Sequence, residues 1–202
     1  MKKFLTLLLM LIGVHCSAAT LNEAHIVYPV IHVADKAVEQ KINAQIIAEV
    51  DRFVTGIYRT AQINGYEVAD IRTSWEVGSN EAGNTVILSI ILTESNYYAG
   101  GAHPATYLRT LNFNTSSGEL MDIRYLTEVG DGLRDGELLQ RLEAKLKSHC
   151  AREGIRLFDD ALPLKELPRD FYWDENLHVH FIFQHYAIAP YAAGIIDVDI
   201  DE

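Results

Sequence analysis

Cysteine is nearly absent from this chain. The 202 residues hold two, Cys16 and Cys150, too few for the cross-linked framework of a small disulfide-rich secreted domain. Positive charge is scarce as well. Against 28 Asp and Glu stand 17 Lys and Arg, for a formal charge of −11. A field of that sign opposes nucleic acid and anionic lipid and favours cationic partners. Beyond the first 14 residues no apolar run approaches the roughly 20 residues that span a bilayer. The signatures of common catalytic and cofactor sites are missing too: there is no Gly-x-Ser-x-Gly, His-Glu-x-x-His, Cys-x-x-Cys or P-loop. On these grounds neither an enzyme nor a cofactor is expected.

What is present begins with a leader. Lys2 and Lys3 precede an almost wholly apolar stretch from Phe4 to Val14, and Cys16, Ser17, Ala18 and Ala19 follow as small residues. This is the pattern of a secretory signal peptide over 1–19, cut after Ala19 with Ser17 at −3. Export to a periplasmic or extracellular location follows. The alternatives are a retained anchor and a lipoprotein modified at Cys16. Cleavage removes two of the 17 basic residues and none of the 28 acidic ones, so the charge moves from −11 to −13. It also leaves Cys150 without an intramolecular partner, as a small buried hydrophobe on a helix stripe.

The body reads as α+β, with antiparallel sheet and two main amphipathic helices packed on one face. Ile26–Val33 is a strand interrupted by Pro29. Asp35 is a plausible N-cap for a helix whose stripe of Val38, Ile42, Ile46, Val50, Phe53 and Ile57 recurs every three or four residues and stops at Asn64-Gly65. Strands are predicted over Tyr66–Val77, Thr85–Glu94 and Thr106–Phe113, with turns at Gly78–Asn84 and Asn114–Gly118. A second helix runs from Asp135 or Gly136 to Arg152, with Gly154 as its C-terminal stop. Short strands at Phe171–Trp173, Leu177–Phe183 and Ile195–Ile200 close the chain. We divide it into an N-terminal half over 20–100 and a C-terminal half over 101–202, forming one compact unit.

Two glycine-flanked aromatic segments carry the candidate binding residues. Tyr97-Tyr98-Ala99-Gly100-Gly101-Ala102-His103-Pro104 follows one apolar strand, and Tyr186–Gly194, containing Pro190 and Tyr191, follows another. Glycine permits positive φ and close approach of backbone, and exposed tyrosines suit both sugar stacking and protein interfaces. Tyr98, Gly100, Gly101, His103, Tyr186 and Tyr191 are therefore the candidate ligand-binding residues, with the two loops expected to meet. The competing reading is two independent structural corners. His178 and His180, two apart on a strand, face one way and make a weak half-site for zinc; a solvated strand face is the plainer alternative. The acidic stretch Glu128, Asp131, Asp135 and Glu137 lacks the spacing of a calcium loop.

The segment NYYAGGAHP, the later NFNTSSGE, a helix, and a C-terminal strand with HYAIAPYAAG together resemble the extracytoplasmic domain of RsiV-type anti-sigma factors. The same domain precedes the catalytic domain of PdaC-type peptidoglycan deacetylases, and the likeness covers nearly all of residues 22–200. The resemblance implies an extracytoplasmic α+β module. It also implies two partner classes, lysozyme for the anti-sigma factors and cell-wall glycan for the deacetylases. The chain up to Glu202 holds neither a cytoplasmic segment nor a deacetylase domain, which leaves a sensor or binding module as the expected role. Peptidoglycan or a lysozyme-like cationic protein is the expected ligand. The alternative is an envelope hydrolase using His103 as general base or metal ligand.

Overall fold

Asp35 starts the longest element. Its backbone is extended, and its carboxylate accepts from the amides of Ala37 (2.8 Å) and Val38 (3.3 Å), satisfying donors that a helix start leaves free. The helix α1 runs Lys36–Asn64 and ends where Gly65 takes a left-handed conformation, φ 70°. The computed structural model describes residues 15–21, 25–80, 86–128 and 135–202. The leader up to residue 14, most of the turn predicted after Gly78 and Asp131 of the 128–137 stretch lie outside the described residues.

Six strands form the larger sheet, in chain order: β1 His15–Leu21, β2 His25–His32, β3 Val68–Asn80, β4 Ile87–Tyr98, β5 Ala105–Asn114 and β6 Glu119–Leu120. All neighbours are antiparallel except β2 and β3. That parallel step was not foreseen from the sequence. It arises because α1, lying between them, is long enough to carry the chain back to the starting edge. Thr73 reinforces the step, its hydroxyl accepting from Val27 N–H at 2.8 Å and donating to Val27 C=O at 2.7 Å. A register shift between Val68 and Asp70 brings Val68 onto the face of Ile71 and Trp75.

The predicted central strand is central and longer than expected, continuing past Glu94 to Tyr98. The halves divided at Gly100 meet inside the β4–β5 hairpin, where Asn96 pairs with Ala105.

The second sheet is a meander of β7 Phe171–Trp173, β8 Val179–Phe183 and β9 Ile196–Asp199. Two helices precede it, the unforeseen α2 Ile123–Glu128 and the expected α3 Asp135–Glu153, with Gly154 at φ 67° after it. Each sheet has its own helix and core. Ile42, Ile46 and Val50 of α1 are buried against Leu88, Ile90, Leu92 and Phe113. Leu138, Leu142, Leu146 and Cys150 of α3 are buried against Phe171, Phe181 and Val198. Burial pushes the Cys150 thiol pKa up, away from reactivity.

A polar seam joins the two sheets. Trp173 N–H donates to Ser89 Oγ (3.0 Å), and Ser89 donates to Asn112 Oδ1 (2.7 Å). Asn112 Nδ2 donates to Phe171 C=O (2.7 Å), and Phe171 N–H donates to Thr110 Oγ1 (2.9 Å). Gly78 of β3 lets the second sheet come close, since a Cβ there would sit 2.5 Å from Trp173 O.

Candidate functional site

The two glycine-flanked loops meet. The ring of Tyr191, which opens a short 3₁₀ turn at Tyr191–Ala193, lies stacked on His103 with centroids 4.0 Å apart and on His185 at 4.3 Å. Tyr186 is tilted against Tyr191 at 5.6 Å and stands 59% exposed. Its φ of 63° is one that side chains other than Gly seldom adopt. The Tyr191 hydroxyl reaches Pro104 C=O at 3.4 Å. His103, His185, Tyr186 and Tyr191 thus form an aromatic platform bridging the β4–β5 turn and the β8–β9 connection.

The remaining predicted residues support this platform rather than join it. Gly100 turns the chain at φ 82°. Gly101 C=O accepts from the Tyr97 hydroxyl at 2.9 Å. Tyr98 turns away toward α1, packing on Tyr66 at 5.3 Å and donating to Ile57 C=O at 3.2 Å. His103 Nδ1 lies 2.9 Å from Pro104 O. A carbonyl only accepts, so Nδ1 is the donor in this contact. Among the described residues no ion pair joins His103 to a carboxylate.

His178 and His180 have other partners. His178 Nδ1 lies 2.9 Å from Asp199 Oδ2, and His180 Nδ1 lies 2.9 Å from Asp197 Oδ1. The Asp197 carboxylate also accepts from the half-buried Tyr172 hydroxyl at 2.7 Å, and the Tyr172 ring stacks on His180 at 4.7 Å. Burial works against a charged His180, but Asp197, Asp199 and Asp174 outweigh it and raise its pKa. The Asp199 hydrogen bond raises that of His178. The tail acids are thus spent on the two histidines, and among the described residues no group of three or more His, Cys, Asp or Glu is arranged to hold a metal.

A groove opens beside the platform, between α1 and the β4–β5 hairpin, and sequence reasoning missed it. Two adjoining hollows of about 280 and 240 Å³ share Ile57, Thr60 and Tyr107 as walls; the second ends at Gly101 and His103. Its floor is Glu94 and Asn96, each 3% exposed. Burial, then repulsion from Glu49, pushes the Glu94 carboxyl up to about 7, against the pull of Arg109. Arg109 lies 2.6 Å from Asp170 and 3.7 Å from Glu49, while Arg52 pairs with Glu49. The signal was in the sequence. Leu88, Ile90 and Leu92 share one face of the strand, and continuing that two-residue step lands on Glu94 and Asn96, polar residues where core is due.

Comparison with known proteins gives matches at the level of family and fold. The family model described as deacetylase PdaC matches residues 16–106, and that described as a protein of unknown function (DUF3298) matches residues 133–201. A solved DUF3298-family structure from Bacteroides fragilis is similar with a TM-score of 0.57 at 18% identity. It covers 93% of this chain and 90% of that one. One from Pseudomonas aeruginosa gives 0.56 at 11%, covering 93% and 89%. At such identities the likeness carries the fold alone. No curated protein matches. The sheet-and-helix order, the two matched stretches and the solved relatives agree: the chain belongs to the PdaC/DUF3298-type domain family.

Proposed function

We propose that this chain is an exported, non-catalytic binding module, and that its ligand is cell-wall glycan docking on the aromatic platform. The observation that carries the reading is the stack of His103, Tyr191 and His185 with the exposed Tyr186 at its side. The histidines take both faces of Tyr191. That leaves the outer face of the exposed His103 and the Tyr186 ring to pack against the apolar faces of sugar rings, and a tyrosine keeps a hydroxyl for a polar contact at the rim. The stack is fixed before any ligand arrives, which lowers the ordering cost of binding. Export rests on the basic and apolar leader with its small-residue cleavage site. The hydrolase alternative is disfavoured by the surroundings of His103, whose Nδ1 faces its own neighbour's carbonyl and which has no carboxylate partner among the described residues.

One observation favours a second reading. The charge of −11 attracts a cationic envelope-active protein such as lysozyme. Co-sedimentation with peptidoglycan and pull-down of lysozyme, each at low and moderate salt, separate the two. Glycan docking on the platform is insensitive to salt and lost in Tyr186→Ala and Tyr191→Ala. Capture by charge falls with salt and survives both substitutions. Failure to bind either ligand removes the proposal.

A further inference from the structure

The groove between α1 and the β4–β5 hairpin contains two hydrogen-bond acceptors that the fold leaves unused. Glu94 Oε1 and Asn96 Oδ1 are enclosed, and neither has a hydrogen-bond partner. They sit two residues apart on one face of β4, where the preceding residues on that face are core. Leaving a buried acceptor unmade is costly, and a pair of leucines would remove that cost. Neighbouring polar groups on the same side are satisfied: Tyr98 donates to Ile57, and Arg109 is held between Asp170 and Glu49. Glu94 lines the first of the two adjoining hollows and Asn96 the second.

The roof of the groove is also unusual. Gly56 lies in the middle of α1, and a Cβ added there would meet nothing within 4 Å. Glycine inside a helix is less favourable than alanine. No close packing accounts for it, and its effect is to keep the hollow open.

We propose that this groove is a saccharide subsite, receiving one neutral sugar unit whose hydroxyl or acetamido N–H groups donate to Glu94 Oε1 and Asn96 Oδ1. Charge narrows the ligand class. Around the hollow, Arg52, Arg109 and Arg169 face Glu49, Asp170 and the partly protonated Glu94, so the charge is close to balanced and a free cation meets no net opposite charge. Both orphans are oxygens, and they call for donors. The walls include Tyr107, 38% exposed, and the apolar side of Ile57, surfaces suited to the C–H face of a sugar ring. With its carboxyl held up to about 7, Glu94 is partly protonated at neutral pH, so it both accepts from and donates to a polyol. The groove ends at His103, which is part of the platform. A glycan strand lying on Tyr186 and His103 thereby reaches the subsite with a neighbouring unit. The inference rests on the glycan reading above and adds to it where one residue of the polymer sits.

The test uses N-acetylglucosamine and its β-1,4-linked tetramer as probes on the full mature chain, followed by NMR and calorimetry. The monosaccharide should perturb amides of residues 94–96 and 56–60. Asn96→Leu and Gly56→Phe should each weaken tetramer binding at least tenfold. Gly56→Ala, which fills less of the hollow and favours the helix, should stay folded and weaken it severalfold. Tyr186→Ala should weaken the tetramer and leave the monosaccharide perturbations in place. Tetramer binding that depends on Tyr186 but ignores all three groove variants overturns the subsite and leaves the platform reading standing. So do monosaccharide shifts confined to the platform. Perturbation of residues 94–96 by an alkyl diamine and by neither sugar overturns the ligand class. Silence toward both sugars overturns the subsite, and lysozyme capture then decides separately whether the module binds at all.

Discussion

The side-chain amide of Gln184 closes a two-way hydrogen bond with the backbone of Leu108. Leu108 N–H donates to Gln184 Oε1 at 3.1 Å, and Gln184 Nε2 donates to Leu108 C=O at 2.6 Å. The amide does for β5 what a seventh strand would do, occupying one residue of an edge that would otherwise be open to pairing. Asp170 continues the cover by accepting from Thr110 N–H at 3.2 Å. Gln184→Ala should therefore cost about 1–3 kcal/mol, read as a lower urea midpoint. Gln184→Glu should be no better, because it loses the donor and adds a negative charge beside Asp170. A wild-type midpoint in both variants would show that the edge needs no such cover.

The same substitution at two glycines should have opposite signs. At Gly78 an added Cβ meets Trp173 O at 2.5 Å and the Tyr172 ring at 2.7 Å, so Gly78→Ala should destabilise by about 1–3 kcal/mol, as overpacking does. At Gly56 the space is empty, so Gly56→Ala should stabilise by about 0.5–1 kcal/mol through helix propensity. Paired melting curves check both signs.

Glu94 makes stability fall as pH rises. Its carboxyl titrates at about 7 in the fold against 4.5 ordinarily, because burial, Glu49 and Asp170 outweigh Arg109 and Arg52. Below pH 4.5 it is protonated in both states and shifts nothing. Between about 4.5 and 7 the unfolded chain gives up its proton first, and the folded state is penalised by up to about 3 kcal/mol above that window. Glu94→Gln should flatten this part of the profile. Urea unfolding at pH 5 and pH 8 for both proteins is the measurement, and parallel profiles would refute the assignment.

The histidine pairs act in the same direction at higher pH. His178 and His180 have raised pKa values, set beside Asp199 and Asp197. Their contribution is complete below about 6.5, the ordinary histidine value, and is lost as pH climbs through the higher folded values. His178→Gln together with His180→Gln in the Glu94→Gln background should reduce the remaining slope between pH 6 and 8. Zinc titration of the wild type should yield no tight site, and tight binding abolished by His178→Ala would reverse that expectation.

Processing can be read directly by mass spectrometry. Cleavage after Ala19 gives a mature chain beginning at Thr20. Of β1 it keeps Thr20 and Leu21, opposite Val27 and Ile26. A mature mass that retains residues 15–19 would mean that the whole strand stays in the sheet.

Elements set by local chemistry were legible in the sequence. Asp35 and Gly65 bound α1 as expected, and Gly154 stops α3, because caps and left-handed stops depend on residues close in sequence. The meeting of the two aromatic loops was legible as a hypothesis from their shared composition. The parallel β2–β3 step was not, since strand direction is decided by where α1 delivers the chain. Nor was the division of helices, one to each sheet. His185 gave no local sign of stacking on Tyr191, a contact set by the β8–β9 connection. The groove escaped notice because an apolar run of TVILSIIL reads as core on both faces, and only alternation through Thr93, Glu94, Ser95 and Asn96 reveals the change.

The alternation along β4 sorts its substitutions into two kinds. Odd positions such as Ser89 look toward the second sheet, so a change there loosens the junction between the two cores and should speed global unfolding. Even positions from Glu94 onward look beneath the far half of α1, where a change reaches the proposed subsite while leaving the junction intact. Stepping one residue along a single strand thus moves a substitution from the junction between the two cores to the proposed subsite, and a scan of residues 89–96 would trace both.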